Sequence, residues 1–161
     1  MDEVEPPGRR RNLSGMIDIH GKPATDREAS AVGRVRMNEA AFEALTAGRL
    51  PKGDALAAAR VAGIMAAKRT PELIPLCHPI PLSHVGIEFD LVAARGEVIV
   101  EATARAHAST GVEMEALTAV AVAALTIHDM CKALDPASEI CEMHVVRKSG
   151  GKTGSWQREE A

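Results

Sequence analysis

Two ionisable side chains, Asp129 and Lys132, stand three residues apart near the end of a long apolar stretch. Between positions 116 and 127 nearly every residue is apolar or Thr, which is typical of a helix buried on most sides. Side chains three apart on a helix are neighbours, so this carboxylate and this ammonium can form a pair. Such a pair suits proton transfer, although the spacing taken alone favours two helix caps and a surface ion pair on a core helix.

Acidic residues gather at the other end of the same predicted helix. Glu113 and Glu115 suit the positive end of a helix dipole. Glu115 and Asp129 are fourteen residues apart, or about 21 Å along the axis, which is too far for both to act on one bond. Either the two ends of the helix serve different sites, or a symmetric partner subunit places its own copy of one end beside the opposite end of this helix.

Two more lysines stand where the chain changes direction. Lys52 comes just ahead of a predicted helix N-terminus, a neighbourhood that attracts anions, and Lys148 precedes a run of glycines. With His78, Asp129 and Lys132, they would suit a phosphorylated substrate that needs proton transfers. Solvated lysines in turns are the alternative.

The proline-rich segment 73–81 presents Cys77 and His78. Its three prolines fix the backbone φ angle, so a rigid loop is expected, either as part of a binding site or as a stiff connector. Cys77 and His78 with Cys141 and His144 raise the alternative of a zinc site, but no Cys-x-x-Cys pair is present. We therefore expect no resident metal.

Residues 148–154 read Lys-Ser-Gly-Gly-Lys-Thr-Gly and resemble a phosphate loop. A Walker motif needs a glycine where Val146 stands, and it needs a following helix for which the tail is too short. Glycine-rich backbone beside two lysines can still hold phosphate as an anion nest. The alternative is a flexible basic tail.

Composition limits the class of protein. A length of 161 residues favours one domain, and the net charge of −3 argues against coating nucleic acid or an acidic membrane. Three cysteines favour a reducing compartment, and the segment 1–11 lacks the apolar core of a signal peptide. The expected location is the cytoplasm.

Hydrophobic periodicity predicts an α+β fold. The predicted strands are 29–37, 85–91, 98–105 and 139–148, and the predicted helices are 39–47, 55–68, a turn at 70–71 and the long helix up to 132. This order is the β-α-β-β-α-β arrangement of ferredoxin-like folds, with an antiparallel sheet and an extra helix in the first crossover. Residues 1–13 and 156–161 are expected to be disordered or flexible tails around one catalytic domain, 14–155.

Several blocks in a fixed order resemble the molybdenum-cofactor biosynthesis protein C family, whose members are cyclic pyranopterin monophosphate synthases. The likeness extends from about Met16 to Gly154, and its carriers are Lys52-Gly53-Asp54, Ala66-Ala67-Lys68-Arg69-Thr70, Leu73-Ile74-Pro75-Leu76-Cys77-His78-Pro79, Gly111-Val112-Glu113-Met114-Glu115-Ala116-Leu117-Thr118-Ala119, Asp129-Met130-Cys131-Lys132-Ala133 and Lys148-Ser149-Gly150-Gly151-Lys152.

The resemblance implies a homohexamer, a trimer of dimers, with the active site at a subunit boundary. It implies conversion of cyclic dihydroguanosine triphosphate to cyclic pyranopterin monophosphate and diphosphate, with no cofactor unless Mg²⁺ accompanies the triphosphate. The expected catalytic residues are Asp129, Lys52 and Lys132. The expected substrate-binding residues are Leu76, Cys77, His78, Glu113, Met114, Glu115 and Lys148.

Within that expectation, Lys148 holds the triphosphate with help from Lys132 and His78. Lys52 and Lys132 move protons, and Asp129 sets the charge state of Lys132. His128 stands where family members often carry Tyr, which adds a titratable group beside Asp129.

A second hypothesis is a non-catalytic ferredoxin-like module that binds a nucleotide or a small regulatory ligand. It predicts polar groups lining one face of the sheet and nucleotide binding without diphosphate release. The sequence instead places polar residues at loops and helix ends, which favours the enzyme.

Overall fold

The computed structural model describes residues 15–152 and 154–159, so the whole of the tail expected at 1–13 lies outside it. Five strands form one sheet with the order β2-β3-β1-β4-β5, and every pairing is antiparallel. The strands are β1 Thr25–Arg36, β2 Leu82–Val92, β3 Glu97–Ala108, β4 Glu139–Ser149 and β5 Trp156–Gln157. The order of the first four strands is that of a ferredoxin-like fold, which confirms the predicted α+β class.

Helices fill the connections as the sequence predicted. They are α1 Glu39–Thr46, α2 Ala55–Ala67, the single turn α3 Thr70–Leu73 and α4 Glu113–Cys131, with a 3₁₀ turn at Ala93–Arg95. Asn38 and Asp54 cap α1 and α2 because their side chains accept hydrogen bonds from the backbone N–H groups of Ala41 and Ala57.

The first strand begins earlier than periodicity indicated. The prediction started it at Ala29, whereas β1 starts at Thr25 and pairs with Ala108. The cause is that Asp26 and Glu28 are polar residues that pattern reasoning assigns to a loop. Their strand geometry is imposed by a partner strand far away in sequence.

Small residues let α4 lie very close to its neighbours. A Cβ on Gly33 of β1 would come within 2.7 Å of Val120, and a Cβ on Gly63 of α2 would come within 2.7 Å of the Ala119 carbonyl oxygen. The buried side of α4 is correspondingly rich in alanine. Close backbone approach therefore replaces large side chains in this core, as the alanine-rich composition suggested.

By length and hydropathy alone, α4 is apolar enough to cross a membrane. It nevertheless packs against the sheet on one side and α2 on the other, and residues such as Ala116, Ala123 and Ile127 are fully buried. It is therefore the core helix of the domain, and its two ends open onto different regions of the surface.

The chain continues as ordered structure past the predicted domain end. Trp156 and Gln157, the first two residues of the segment expected to be a flexible tail, pair with Lys148 and Arg147 of β4. The backbone N–H of Arg158 also donates to the Val146 carbonyl oxygen at 2.8 Å. The domain boundaries otherwise remain a prediction.

Candidate active site

One aspartate joins two lysines at the C-terminal end of α4. The Lys52 Nζ lies 2.6 Å from Asp129 Oδ2, and the Lys132 Nζ lies 2.7 Å from Asp129 Oδ1. The Lys52 ammonium also donates to the Asp129 backbone carbonyl at 3.2 Å. The turn before α2 brings in Lys52 from 77 residues away, so the predicted catalytic residues form one group.

The two ammonium groups keep the Asp129 carboxylate ionised. Hydrogen bonds from Lys132 and then Lys52 lower the pKa of Asp129 from 3.8 to about 2. All three side chains are about half exposed. The group carries two cationic charges for one anionic charge, so it can receive an anion and has proton donors at hand.

His128, the neighbour of Asp129, points elsewhere. Its Nδ1 lies 2.7 Å from the Ser138 Oγ in the loop before β4, so the ring ties the end of α4 to that loop. It makes no hydrogen bond or ion pair with Asp129 in the described part of the chain.

A basic cavity of about 540 Å³ lies at the opposite end of α4. Its walls carry the cationic side chains of Lys22, Arg27, Lys148 and Lys152. The carboxylates in the wall are Glu28 and Glu113, and Glu113 Oε1 lies 2.9 Å from the Lys148 Nζ. Four cations around a cavity of this size suit a ligand with several negative charges.

The turn after β4 shapes this basic cavity. Gly150 and Gly151 have φ angles of +95° and +76°, which favour glycine. A Cβ on Gly150 would come within 2.1 Å of the Asp26 carbonyl oxygen, and one on Gly151 would meet the Arg27 guanidinium. The two glycines therefore let the backbone lie directly against the start of β1. The similarity to a phosphate loop thus corresponds to a tight turn beside cations rather than to a Walker motif.

Glu113 is held as a carboxylate. Burial alone would raise its pKa, but the hydrogen bond from Lys148, a backbone hydrogen bond and the charges of Lys148 and Arg27 bring the pKa below its usual value. Glu113 therefore restrains Lys148 in this structure, and an incoming anion has to compete with it.

A second cavity, of about 310 Å³, is lined by all five of the other predicted binding residues. Its walls include Leu76, Cys77, His78, Met114 and Glu115, and it also shares residues with the basic cavity. The shared residues are Lys22, Thr110, Gly111 and Glu113. The two cavities are therefore neighbours, and one elongated ligand can occupy both.

Glu115 and Cys77 are both biased towards their neutral forms in this second cavity. Only 3% of Glu115 is exposed, and its Oε2 atom has no hydrogen-bond partner among the described residues. Burial raises the pKa of Glu115, and burial together with the charge of Glu115 raises the pKa of the Cys77 thiol. A thiol of this kind is a weak nucleophile, so Cys77 suits a binding surface better than covalent catalysis.

Within one chain the predicted residues therefore form two groups. Lys52, Asp129 and Lys132 meet at the C-terminal end of α4, whereas Lys148 and the substrate-binding residues surround its N-terminal end. Fourteen residues of helix lie between Glu115 and Asp129, which at about 1.5 Å per residue separates the groups by about 21 Å along the axis. Their assignment to one active site remains a prediction.

Sequence reasoning missed two cations of the basic cavity, Lys22 and Arg27, whereas it had already named Lys152 as part of a possible anion nest. Arg27 was detectable, because it alternates with Ala29 and so faces the same side of β1 as the core residues. Starting the predicted strand at Ala29 concealed that relation. The position of Lys22 depends on a loop, which carries no periodic signal.

The open face of the sheet is also polar. Glu28 bonds to Arg147 at 3.0 Å and to Arg105, and the Ser30 and Thr103 hydroxyls are 2.7 Å apart. The expectation that polar residues gather only at loops and helix ends is therefore wrong, because strand alternation turns these side chains away from the helices. Their placement alone does not separate an enzyme from a binding module.

Comparison with known proteins decides the family. The model of the MoaC family matches residues 16–151. The chain belongs to the MoaC family. It is 52% identical to a protein of Chloroflexus aggregans over all of this chain and 95% of that protein, and 53% identical to one of a Roseiflexus species over 97% and 96% of the two chains. A Geobacter sulfurreducens relative is 54% identical over 90% of this chain and 91% of that relative.

All three of these MoaC relatives carry the name cyclic pyranopterin monophosphate synthase. The names describe an enzyme, which confirms the family suggested by the sequence blocks and favours the catalytic hypothesis over the binding module. Among residues 15–152 and 154–159, no three side chains of His, Cys, Asp or Glu are grouped as a metal ion requires. The zinc alternative therefore has no structural support there.

Proposed function

We propose that this chain is a cyclic pyranopterin monophosphate synthase of molybdenum cofactor biosynthesis. Its substrate would be (8S)-3′,8-cyclo-7,8-dihydroguanosine 5′-triphosphate, and its products cyclic pyranopterin monophosphate and diphosphate. The observation that carries the proposal is the Lys52–Asp129–Lys132 group, in which one carboxylate holds two ammonium groups at 2.6 and 2.7 Å in a protein of this family.

The triphosphate would occupy the basic cavity. Lys148 would hold it as a point charge once Glu113 is displaced, and Lys22, Arg27 and Lys152 add charge to the same walls. The neighbouring cavity, with Leu76, Cys77, His78, Met114 and Glu115, would take the rest of the substrate.

The chemistry would end with an attack on the α-phosphate. A sugar hydroxyl oxygen forms a bond to the α-phosphorus, the bond from that phosphorus to the β-bridging oxygen breaks, and diphosphate leaves. The hydroxyl proton and the protons that move during ring opening and closure would pass through Lys52 and Lys132. Asp129 would hold both lysines in position and balance part of their charge.

Both groups of residues would complete one site only across a subunit boundary. We propose a homohexamer built as a trimer of dimers, in which the Lys52–Asp129–Lys132 group of one copy faces the basic cavity of another. The separation of the two groups along α4 supports this proposal. A second support is the exposure of the apolar residues Val61, Met65 and Leu125, each between 48% and 58% accessible to solvent. Light scattering should give six times the 17.0 kDa chain mass.

No resident cofactor is proposed. Mg²⁺ would enter, if at all, with the triphosphate oxygens, which are its preferred ligands. The cytoplasm is the proposed location, and the free state of Cys77, Cys131 and Cys141 supports a reducing compartment.

The deciding experiment is diphosphate release from the cyclic triphosphate. The proposal predicts release by the wild-type protein and a loss of at least about 100-fold in Lys52→Ala and in Lys132→Ala. Lys68→Ala, which changes an exposed lysine at the end of α2, is the matched control and should act like the wild type. Binding of the triphosphate without release would support the binding module instead. Wild-type yields from either variant would refute the proposed lysine roles.

A further inference from the structure

The C-terminal strand β5 lies directly beside the lysine that the proposed site uses for phosphate. Trp156 is paired with Lys148, and Gln157 is paired with Arg147. Directly opposed residues of an antiparallel pair project on the same face, with Cβ atoms about 5 Å apart. The Trp156 and Lys148 side chains therefore stand side by side, whereas Gln157 projects towards the other face.

The strand register places Trp156 on the helix side of the sheet, because Lys148 is paired with the buried Ala29 as well as with Trp156. Trp156 lines a cavity of about 500 Å³ with Glu113, Val145, Lys148 and Ser155. Glu113 and Lys148 are also walls of the basic cavity. The Lys148–Glu113 pair therefore separates the indole from the place where an anion would bind.

Lys148 needs such a neighbour once an incoming anion has displaced Glu113. It is the penultimate residue of β4, and Gly150 and Gly151 follow it, so the chain loses regular pairing just beyond it. A lysine side chain at a strand end samples many rotamers, and each one that points away from the cavity weakens anion binding. The register places the indole beside that stem, so it restricts the Lys148 rotamers on one side.

We infer that Trp156 is a positioning residue that keeps the Lys148 ammonium directed at the basic cavity. The inference rests on the proposed function, in which Lys148 holds the substrate's polyphosphate. Trp156 itself remains 43% exposed. Exposing this apolar ring to water costs less free energy if a side chain or ligand packs against the exposed ring face. The backbone bond from Arg158 to Val146 and the bond from the Arg158 Nε to the Val145 carbonyl hold β5 in register.

The test is calorimetric binding of inorganic triphosphate to the full-length protein and its variants. Trp156→Ala should weaken binding about tenfold, equivalent to about 1.4 kcal/mol, and Trp156→Phe should restore most of it because a ring again flanks Lys148. Gln157→Ala keeps the same strand but changes the opposite face, so it should bind like the wild type. Lys148→Ala should bind weakest of all.

A spectroscopic measurement separates positioning from general stability. Trp156 is the only tryptophan in the chain, so all indole emission reports on this residue. Triphosphate should shift the Trp156 emission maximum in the wild type, because Lys148 leaves Glu113 for the anion, and should not shift it in Lys148→Ala.

The outcomes distinguish the two proposals. Triphosphate affinity in Trp156→Ala equal to that of the wild type, an equal loss in Gln157→Ala, or unchanged emission in the wild type on binding would overturn the positioning role while leaving the proposed function standing. A wild-type protein that binds no triphosphate would overturn the phosphate role of Lys148, and the inference with it.

Discussion

At the scale of single residues, the fold shifts the pKa values of two carboxylates in the proposed site in opposite directions. Asp129 lies half exposed between two ammonium groups and stays ionised, whereas Glu115 is buried without a partner for Oε2 in the described structure. Hydrogen bonds from Lys132 and Lys52 lower the pKa of Asp129, whereas burial raises the pKa of Glu115. Sequence spacing paired Asp129 with Lys132, but it did not show that Lys52 would join them.

Asp129→Asn should abolish most of the activity. The amide keeps the shape but removes the charge that holds Lys52 and Lys132 together, so we expect diphosphate release to fall by at least about 100-fold. The pKa of Asp129 is about 2 in the folded chain, below its ordinary 3.8. Its ion pairs are therefore fully present above about pH 4 and are lost as the pH falls through about 2.

The pH–rate profile of the wild type checks this assignment. Because Asp129 stays ionised, the rate should show no loss through Asp129 protonation between about pH 4 and 8. A full rate in Asp129→Asn at any pH in that window would contradict the role given to the carboxylate.

Glu115→Gln should stabilise the protein at neutral pH. The folded pKa of Glu115 is raised, so its ionisation opposes folding, and stability is lost as the pH rises through its ordinary value towards the raised one. Removing that charge should increase the free energy of unfolding by roughly 1 kcal/mol at pH 8 and change it little at pH 4. Urea unfolding at both pH values measures the difference. Equal effects at the two pH values would show that the charge is not responsible.

At the scale of elements, α4 sets the architecture because small residues let it approach its neighbours. The alternation of strands and the capping residues Asn38 and Asp54 were predictable from local sequence. The early start of β1 and the pairing of β5 were not, because cross-strand partners distant in sequence impose both. The same cause concealed Arg27, whose position depends on the true start of β1.

Gly63→Ala should destabilise the domain although alanine is the better helix former. The added Cβ would lie 2.7 Å from the Ala119 carbonyl oxygen and 2.4 Å from the Ile87 Cδ1, so α2 and α4 would have to separate. We expect a loss of about 1–3 kcal/mol in the free energy of unfolding by urea.

Ala57→Gln is the matched control, because it enlarges a side chain at an exposed position of α2. It should change stability by less than about 0.5 kcal/mol. A stable Gly63→Ala variant would show that the helices can separate at little cost.

At the scale of the whole molecule, the proposed site is divided between the two ends of one helix. A single chain brings Lys52, Asp129 and Lys132 together at one end and Lys148 with its cavity at the other. Sequence reasoning anticipated this separation from residue spacing, and it offered two explanations: different sites at the two ends, or a symmetric partner that completes one site. A site of this kind implies that each copy contributes half of two different active sites.

Subunit complementation tests that claim most directly. Lys52→Ala and Lys148→Ala should each be inactive alone, because every site in either oligomer lacks one lysine. When the two variants are unfolded, mixed in equal amounts and refolded together, about a quarter of the shared sites should contain both lysines and diphosphate release should return in that proportion. No recovery of activity from properly assembled mixtures would contradict an active site built from two copies.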